Sequence, residues 1–377
     1  MATFTGQLRS NEIFSALYNM IISQEVFADN LGEHQTLVDK ARVDGGLFGD
    51  TKLYYSTDVL KSVPWGNDAE ATNLLALHRP EAPECQAIHL DVFRQICLTV
   101  DNYLSKRAWS DEGAFSSFNS VMLGWMRETK RVYDGTLYDV YIGTTKAAGA
   151  GQTVKVDLTE AEALEGTEKA KMEAMLIAQA LADLMVAMGD YSRDFNDYGN
   201  LRSYAEDGIK VIWNSKFVNK IRKVDLPTIF HKDGLVDKFE EEVLPARYFG
   251  SETEIQGANV RSKIEMDVAT AAGQVCTHLF PGDLIPTGVK KVTAATKDSL
   301  NRDVASKVTD IAASEKYYED AGVICKVLVK LPPYMSAFEV GTSFFNPKSL
   351  TENHYLTFGH NTIEYLKNYP FITVRVK

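Results

Sequence analysis

A chain of 377 residues, 45% hydrophobic and 24% charged, has the make-up of one large or two ordinary globular domains, which excludes disorder as a whole. Its formal net charge of −11 excludes a sequence-independent nucleic-acid binder, because such proteins need a basic surface to neutralise phosphates. Cys85, Cys97, Cys276 and Cys325 form no C-x-x-C pair, residues 1–6 show no basic and apolar leader, and no window of about eighteen apolar residues is evident, so a soluble product of a reducing cytoplasm is expected.

In chain order, Ser10 and Asn11 are placed to cap a helix over 10–29, with Ile13, Phe14, Leu17 and Ile21 on its apolar side. Gly45, Gly46, Gly49 and Asp50 mark a turn, 52–57 a short strand and 67–78 a short helix. From Ile88 onward the even positions carry Ile88, Leu90, Val92, Arg94, Ile96, Leu98 and Val100, and the odd ones His89, Asp91, Phe93, Gln95, Cys97, Thr99 and Asp101. This period of two marks a half-buried strand, which at about 3.3 Å per residue reaches roughly 40 Å. Residues 51–100 therefore read as an out-and-back excursion that needs a surface to lie against, in this subunit or a neighbour.

After Ser110, Asp111, Glu112 and Gly113, suited to a helix start, the period changes to about three and a half. Phe115, Phe118, Met122, Trp125, Thr129, Val132 and Thr136 fall on one stripe, predicting a helix to Tyr141 with that stripe inward. Gly124 and Gly135 are its weak points, each costing about 1 kcal/mol against alanine. Residues 144–154 read as a hairpin or linker, and 162–188 as a second helix with Met172, Leu176, Leu184 and Met188 among its apolar positions. A strand at 208–213, helices at 215–223 and 234–243, strands at 260–268 and 324–331, and returning strands at 338–345, 354–358 and 370–376 complete a mixed α+β pattern.

The strong chemical motifs are absent: there is no G-x-S-x-G, H-E-x-x-H, EF-hand loop, G-x-G-x-x-G or phosphate-binding loop. Cys276 and His278 share a strand face, but zinc wants three or four ligands. His354 and His360 flank Phe358 and Gly359 and read as packed side chains. Ser192, Arg193, Asp194, Phe195, Asn196 and Asp197 crowd charge at a helix end; capping plus an Arg–carboxylate pair explains them, with a polar switch or catalytic cluster as the alternatives. Glu240, Glu241 and Glu242 read as a solvated helix face. No catalytic, cofactor-binding or metal-ligating residue is assigned.

Three blocks carry a resemblance: residues 101–141 with Phe115, Phe118 and Trp125; Ser192-Arg193-Asp194-Phe195-Asn196 through Leu201-Arg202-Ser203-Tyr204 to Val211-Ile212-Trp213; and Phe345-Asn346-Pro347-Lys348-Ser349-Leu350 with Asn353-His354-Tyr355 and the final strand. In these the sequence resembles the major capsid proteins of tailed bacteriophages, of Hong Kong 97-type fold, and is similar in particular to those of small podophages of the phi-29 kind. The resemblance implies an N-terminal arm (1–50), an extended loop and long strand (51–100), a peripheral domain with the spine helix (101–160), an axial domain (161–335) and returning peripheral strands (336–377). It also implies a non-enzymatic shell protein without cofactors, forming hexamers and pentamers around double-stranded DNA in a virion assembled in the bacterial cytoplasm. A separate scaffolding protein and a portal are the implied partners, with no membrane and no sequence-specific DNA contact. An appended immunoglobulin-like domain and a built-in N-terminal scaffold are not expected. An encapsulin-like nanocompartment shell and a cytosolic α/β enzyme remain the alternatives.

Overall fold

The computed structural model describes residues 36–44, 51–62, 79–101, 112–144, 152–218, 240–249, 266–279, 286–298, 302–311 and 322–377. The predicted helices at 10–29 and 67–78, the turn at 45–50, and most of the predicted helix at 215–223 and strand at 260–268 lie outside the described residues. In chain order the elements are α1 (Leu37–Ala41), β1 (Arg42–Asp44), β2 (Thr51–Ser56), β3 (Glu84–Asp101), α2 (Glu112–Thr144), β4 (Thr153–Val156), α3 (Thr159–Glu162), α4 (Gly166–Gly189), β5 (Lys210–Asn214), β6 (Glu240–Leu244), β7 (Met266–Ala269), β8 (Thr277–Leu279), β9 (Lys290–Lys297), β10 (Asp303–Thr309), β11 (Val323–Leu328), β12 (Tyr334–Asn346), β13 (Thr351–Asn361) and β14 (Phe371–Val376).

The 18-residue β3 is the long strand that the alternation predicts. On one edge it pairs antiparallel with β13, from Leu90↔Asn361 to Asp101↔Thr351. On the other edge its first residues pair with β2, from Glu84↔Ser56 to His89↔Thr51. With β12 and β1 these strands make a five-stranded sheet in the order β1-β12-β13-β3-β2. Ile88, Leu90, Val92 and Val100 are buried on one face, each contributing about 1.5–3 kcal/mol of hydrophobic stabilisation. The surface the excursion needs is thus supplied for β3 within its own chain.

The 33-residue α2 runs through Gly124 and Gly135 without a break and is about 50 Å long. Its buried side is not the predicted stripe. Phe115, Phe118 and Met122 lie outside the described side chains, while Trp125 is 51% exposed and Thr129 is exposed. The face turned inward carries Met126, Lys130, Tyr133, Asp134, Leu137, Tyr138, Tyr141 and Ile142. Two polar residues on that face disguised it: Asp134, fully buried, accepts hydrogen bonds from Lys130 Nζ (3.2 Å), Arg42 Nη2 (3.3 Å) and the Tyr334 hydroxyl (2.7 Å). Burial and the adjacent Asp134 charge hold the Tyr334 phenol well above its ordinary pKa. The cluster fastens the helix to both β1 and β12.

The C-terminal end of α2 also packs on a second five-stranded sheet, ordered β4-β14-β11-β5-β6. Its centre, β11, is buried at every position. Tyr138, Tyr141 and Ile142 join Ile212, Leu328 and Phe371 on one side, and Ile177, Leu181, Leu184 and Met188 of α4 join Val211, Trp213, Val327 and Ile372 on the other. Helix α4 corrects the expectation that no long apolar window exists, since it is long and apolar enough to cross a membrane by length and composition alone, a test that the core helix of a soluble protein also passes. Its apolar character is used, on one side, against this sheet.

Two further expectations are overturned. Glu240–Leu244 is a strand, not the end of a helix, and lies parallel to β5 at the edge of the second sheet, where backbone pairing outweighs the helical preference of three glutamates. Residues 266–309 hold a four-stranded sheet, β10-β9-β7-β8, of which only β7 was anticipated. Strands such as Lys290–Lys297 (KKVTAATK) bury little and so give a faint apolar pattern. The returning strands 338–345, 354–358 and 370–376 are all present but divided, with β12 and β13 in the first sheet and β14 in the second.

One glycine of α2 is fixed by packing, because a Cβ on Gly143 would stand 2.1 Å from the carbonyl oxygen of Tyr248 and 2.6 Å from its carbon, whereas one on Gly124 would meet nothing within 4 Å. In denaturant unfolding, Gly143→Ala is expected to lose roughly 1–3 kcal/mol or more by overpacking, while Gly124→Ala gains up to about 1 kcal/mol. Equal effects at the two positions would contradict this packing.

Candidate interaction surface

Strand alternation gives the first sheet two unlike faces. The inner face is covered by α2: Tyr133 meets Phe358 edge-on with ring centroids 5.7 Å apart, and the Arg94 guanidinium lies 5.0 Å over the Tyr133 ring. On the outer face the cross-strand pairs Leu53↔Ala87, Tyr55↔Cys85, Phe93↔Gly359, Val340↔Thr357 and Phe344↔Asn353 place their side chains together on one side. Leu53, Tyr55, Phe93, Val340 and Phe344 are all exposed there, Phe93 by 60% and Phe344 by 61%. A half-buried sheet normally turns polar residues outward. Large apolar side chains spread across four neighbouring strands mark an interaction surface instead.

The inner face is itself left open toward its far end. A groove of about 480 Å³ runs between α2 and the strands, lined by Met126, Arg127, Glu339, Ser343, His354 and Leu356. Of the histidines singled out in the sequence, His354 therefore lines a groove. His360 is buried, with Nε2 3.0 Å from the Tyr133 hydroxyl, Nδ1 2.8 Å from its neighbour's carbonyl, and its ring stacked on Tyr334. It is packed as expected.

The 192–197 cluster turns out to be a fastening between elements. Ser192 and Arg202 form a β-bridge, and the Asn196 side-chain amide donates to the Asn200 carbonyl (2.7 Å) and accepts from the Asn200 N–H (2.8 Å). The expected Arg–carboxylate pair is present, but the partner of Arg193 is Asp58, 2.6 Å away beyond the end of β2. Hydrogen bonds from Leu201 N–H, Arg193 and Val59 N–H hold the Asp58 carboxyl down at about 2. Around it, Arg202 donates to Ser56 Oγ (3.1 Å), the Thr57 carbonyl (2.6 Å) and Asn368 Oδ1 (3.3 Å), and the Asn200 amide donates to Ser56 Oγ at 2.7 Å. Gln86, buried at the start of β3, donates to the Tyr365 carbonyl and accepts from Lys367 N–H, both at 3.0 Å. This clasp ties the root of the β2/β3 excursion to the segments 192–202 and 365–368, which precede β5 and β14. Asp197, at its rim, accepts from the Tyr365 hydroxyl at 2.6 Å. Sequence reasoning found Arg193 and Asn196 but missed Gln86, Asn200, Arg202 and Asn368 as its members, since single polar residues in loops carry no periodic signal.

The other candidates separate. His278 Nδ1 lies 2.9 Å from Asp267 Oδ1 across β7 and β8, and among the described residues no group of three potential ligands joins Cys276. On β6, Glu241 accepts from the Trp213 indole at 3.3 Å and Glu242 pairs with Lys40. No family model matches the sequence, and no curated protein does. Among solved structures, the chain is similar to one in the capsid structure of Staphylococcus phage Andhra, with 10% identity, a TM-score of 0.56, and 100% of this chain and 94% of that one covered. It is similar also to a chain in the structure of the head fiber and inner core protein gp22 of native bacteriophage P68, with 8% identity, a TM-score of 0.58, and 100% and 95% covered. The chain shares their fold. At these identities the likeness shows the fold alone and carries no chemistry with it.

One half-buried acid beside β6, Asp139, has a measurable consequence. Burial raises the Asp139 carboxyl to about 7, opposed by Arg247 and reinforced by Glu242. The folded value lies above the ordinary carboxylate value of 3.8, so the group weakens folding as pH rises from about 4 to 7, and the penalty is complete above that. Asp139→Asn is expected to raise unfolding free energy at pH 8 by on the order of 1–3 kcal/mol while leaving it nearly unchanged at pH 4. A gain that is the same at both pH values would contradict the buried, raised carboxyl.

Proposed function

We propose that the chain is the major capsid protein of a tailed bacteriophage, a subunit that self-assembles into an icosahedral or prolate shell around double-stranded DNA. The observation that carries this is the outer face of the first sheet. Leu53, Tyr55, Phe93, Val340 and Phe344 lie on one face of a paired strand framework and are exposed among the described residues. The shared fold supports the reading, since the Andhra neighbour is a capsid structure covered over nearly its whole length.

Within that reading, 51–100 is the extended loop and long strand of a Hong Kong 97-type subunit, 101–160 the peripheral domain with its spine helix, and 161–335 the axial domain. Residues 1–50 are the arm and 336–377 the returning strands. The podophage likeness of the phi-29 kind, a separate scaffolding protein, a portal, and assembly in the bacterial cytoplasm belong to the same proposal. The acidic balance of the chain fits a shell within which packaged DNA must slide.

Expression of the chain with its neighbouring genes, followed by sedimentation and negative-stain electron microscopy, is expected to give closed shells. Phe93→Asp and Phe344→Asp are each expected to keep the far-ultraviolet circular dichroism of the parent yet reduce shell yield at least tenfold. Closed shells at parental yield from both variants would remove the outer face from assembly. A parent that stays a monomer or dimer under every condition would contradict the shell itself, and shells enclosing an enzyme in place of DNA would indicate a nanocompartment.

A further inference from the structure

Helix α2 carries a second apolar stripe, apart from the side packed in the core. Positions 115, 118, 122, 125, 129, 132 and 136 follow one another in alternate steps of three and four residues, the spacing of a coiled-coil seam. The core takes a different side of the helix, at Met126, Tyr133, Leu137 and Tyr138. On the seam, Trp125 and Thr129 are exposed and Val132 and Thr136 are half-buried. Thr129 Oγ1 donates to the Trp125 carbonyl and Thr136 Oγ1 to the Val132 carbonyl, both at 2.7 Å. Each hydroxyl is thus satisfied inside the helix, and the threonine methyl is the group left to pack. A regular seam of indole, isopropyl and methyl groups is built to receive another helix.

The chain enters its described part beside the end of this seam. Thr36 Cγ2 stands 3.8 Å from the Cβ position of Gly135, and Leu37, Val38 and Ala41 of α1 share the core with Tyr133, Leu137 and Tyr138. Thr36 is extended (φ −80°, ψ 159°), so the chain before it leaves the axis of α1. Residues 1–35 precede it, and the sequence predicts their amphipathic helix at 10–29, with Asn30 and Gly32 suited to ending it. The connection 30–35 falls within the roughly 2–8 residues that join packed helices. Laid back along α2 from Gly135, such a helix runs parallel to it. Its own three-four series, Phe14, Leu17, Ile21, Gln24 and Ala28, then falls level with positions 122, 125, 129, 132 and 136. Both series span about 21 Å. We infer that residues 14–28 pack as a parallel helix on the Trp125–Thr136 seam of α2 in their own chain. The short tether favours this helix over one from another molecule, since it holds the arm at roughly millimolar effective concentration. The inference stands on the arm and α2 alone and does not depend on shells forming.

The test is a cysteine pair in the full-length chain. Ile21→Cys with Thr129→Cys is expected to close a disulfide within one chain on mild oxidation, giving a linked 21–129 peptide by mass spectrometry at monomer mass on a non-reducing gel. Thr136→Cys in place of Thr129→Cys, about 10 Å further along α2, gives at least fivefold less linkage to position 21. Without added cysteines, Leu17→Asp is expected at least to double acrylamide quenching of the emission that Trp125→Phe removes, leaving quenching of the remaining emission unchanged. A double-cysteine chain with parental circular dichroism and no 21–129 linkage overturns the inference, as does unchanged Trp125 quenching in Leu17→Asp. In a mixture of nitrogen-15-labelled and unlabelled chains, a 21–129 peptide labelled on one side only assigns the arm to a second copy and also overturns it.

Discussion

The pairing of Leu90–Asp101 with Asn361–Thr351 decides which side chains of β3 and β13 look at the long helix and which look away. A slip of one residue would turn Ile88, Leu90, Val92 and Val100 to solvent and drive Asp91 and Gln95 under α2, so the hydrophobic cost locks the register. Because β2 and β12 take their registers from β3 and β13, the same constraint places Leu53, Tyr55, Val340 and Phe344 on the outer face with Phe93. The buried face and the uncovered face are two results of one alignment.

Two polar clusters make the frame a unit. Asp134, held by Lys130, Arg42 and Tyr334, fixes α2 against β1 and β12, and a carboxylate at zero exposure with three donors is costly to disturb from any side. The clasp of Ser56, Asp58, Asn200, Arg202 and Asn368 holds the root of the excursion to the connecting segments that precede β5 and β14. Between them Gly143 lets the end of α2 lie directly on the Tyr248 backbone. The excursion is therefore anchored at its base, and what it presents to a neighbour is a preorganised surface.

Much of this was legible in the sequence wherever one periodicity ran long enough to dominate. The strand over 88–101, the long helix to Tyr141 and the returning strands were foreseen, β3 because burial on one side repeats along it. The inward face of α2 was misjudged because its stripe is interrupted by Lys130 and Asp134, which are buried through mutual pairing that only the fold supplies. Glu240–Leu244 was read as helix because local preference ignores the parallel partner β5. Most of the sheet of β7 to β10 escaped notice because its small core, Val268, Leu279 and Ile311 with Val289, draws a single residue from each segment. The clasp was half visible: Arg193 signalled an ion pair, but Asp58 lies 135 residues away in sequence.

A subunit with an exposed apolar sheet face makes physical sense as one tile among many, since each contact is modest alone and decisive when repeated. The most direct measurement is the mass of the native assembly by charge-detection mass spectrometry on particles purified without denaturant. The account predicts a megadalton species built overwhelmingly from the 42.0 kDa chain, with little mass at the monomer. A native mass equal to one or two chains at every concentration, with the outer sheet face still exposed, would contradict it.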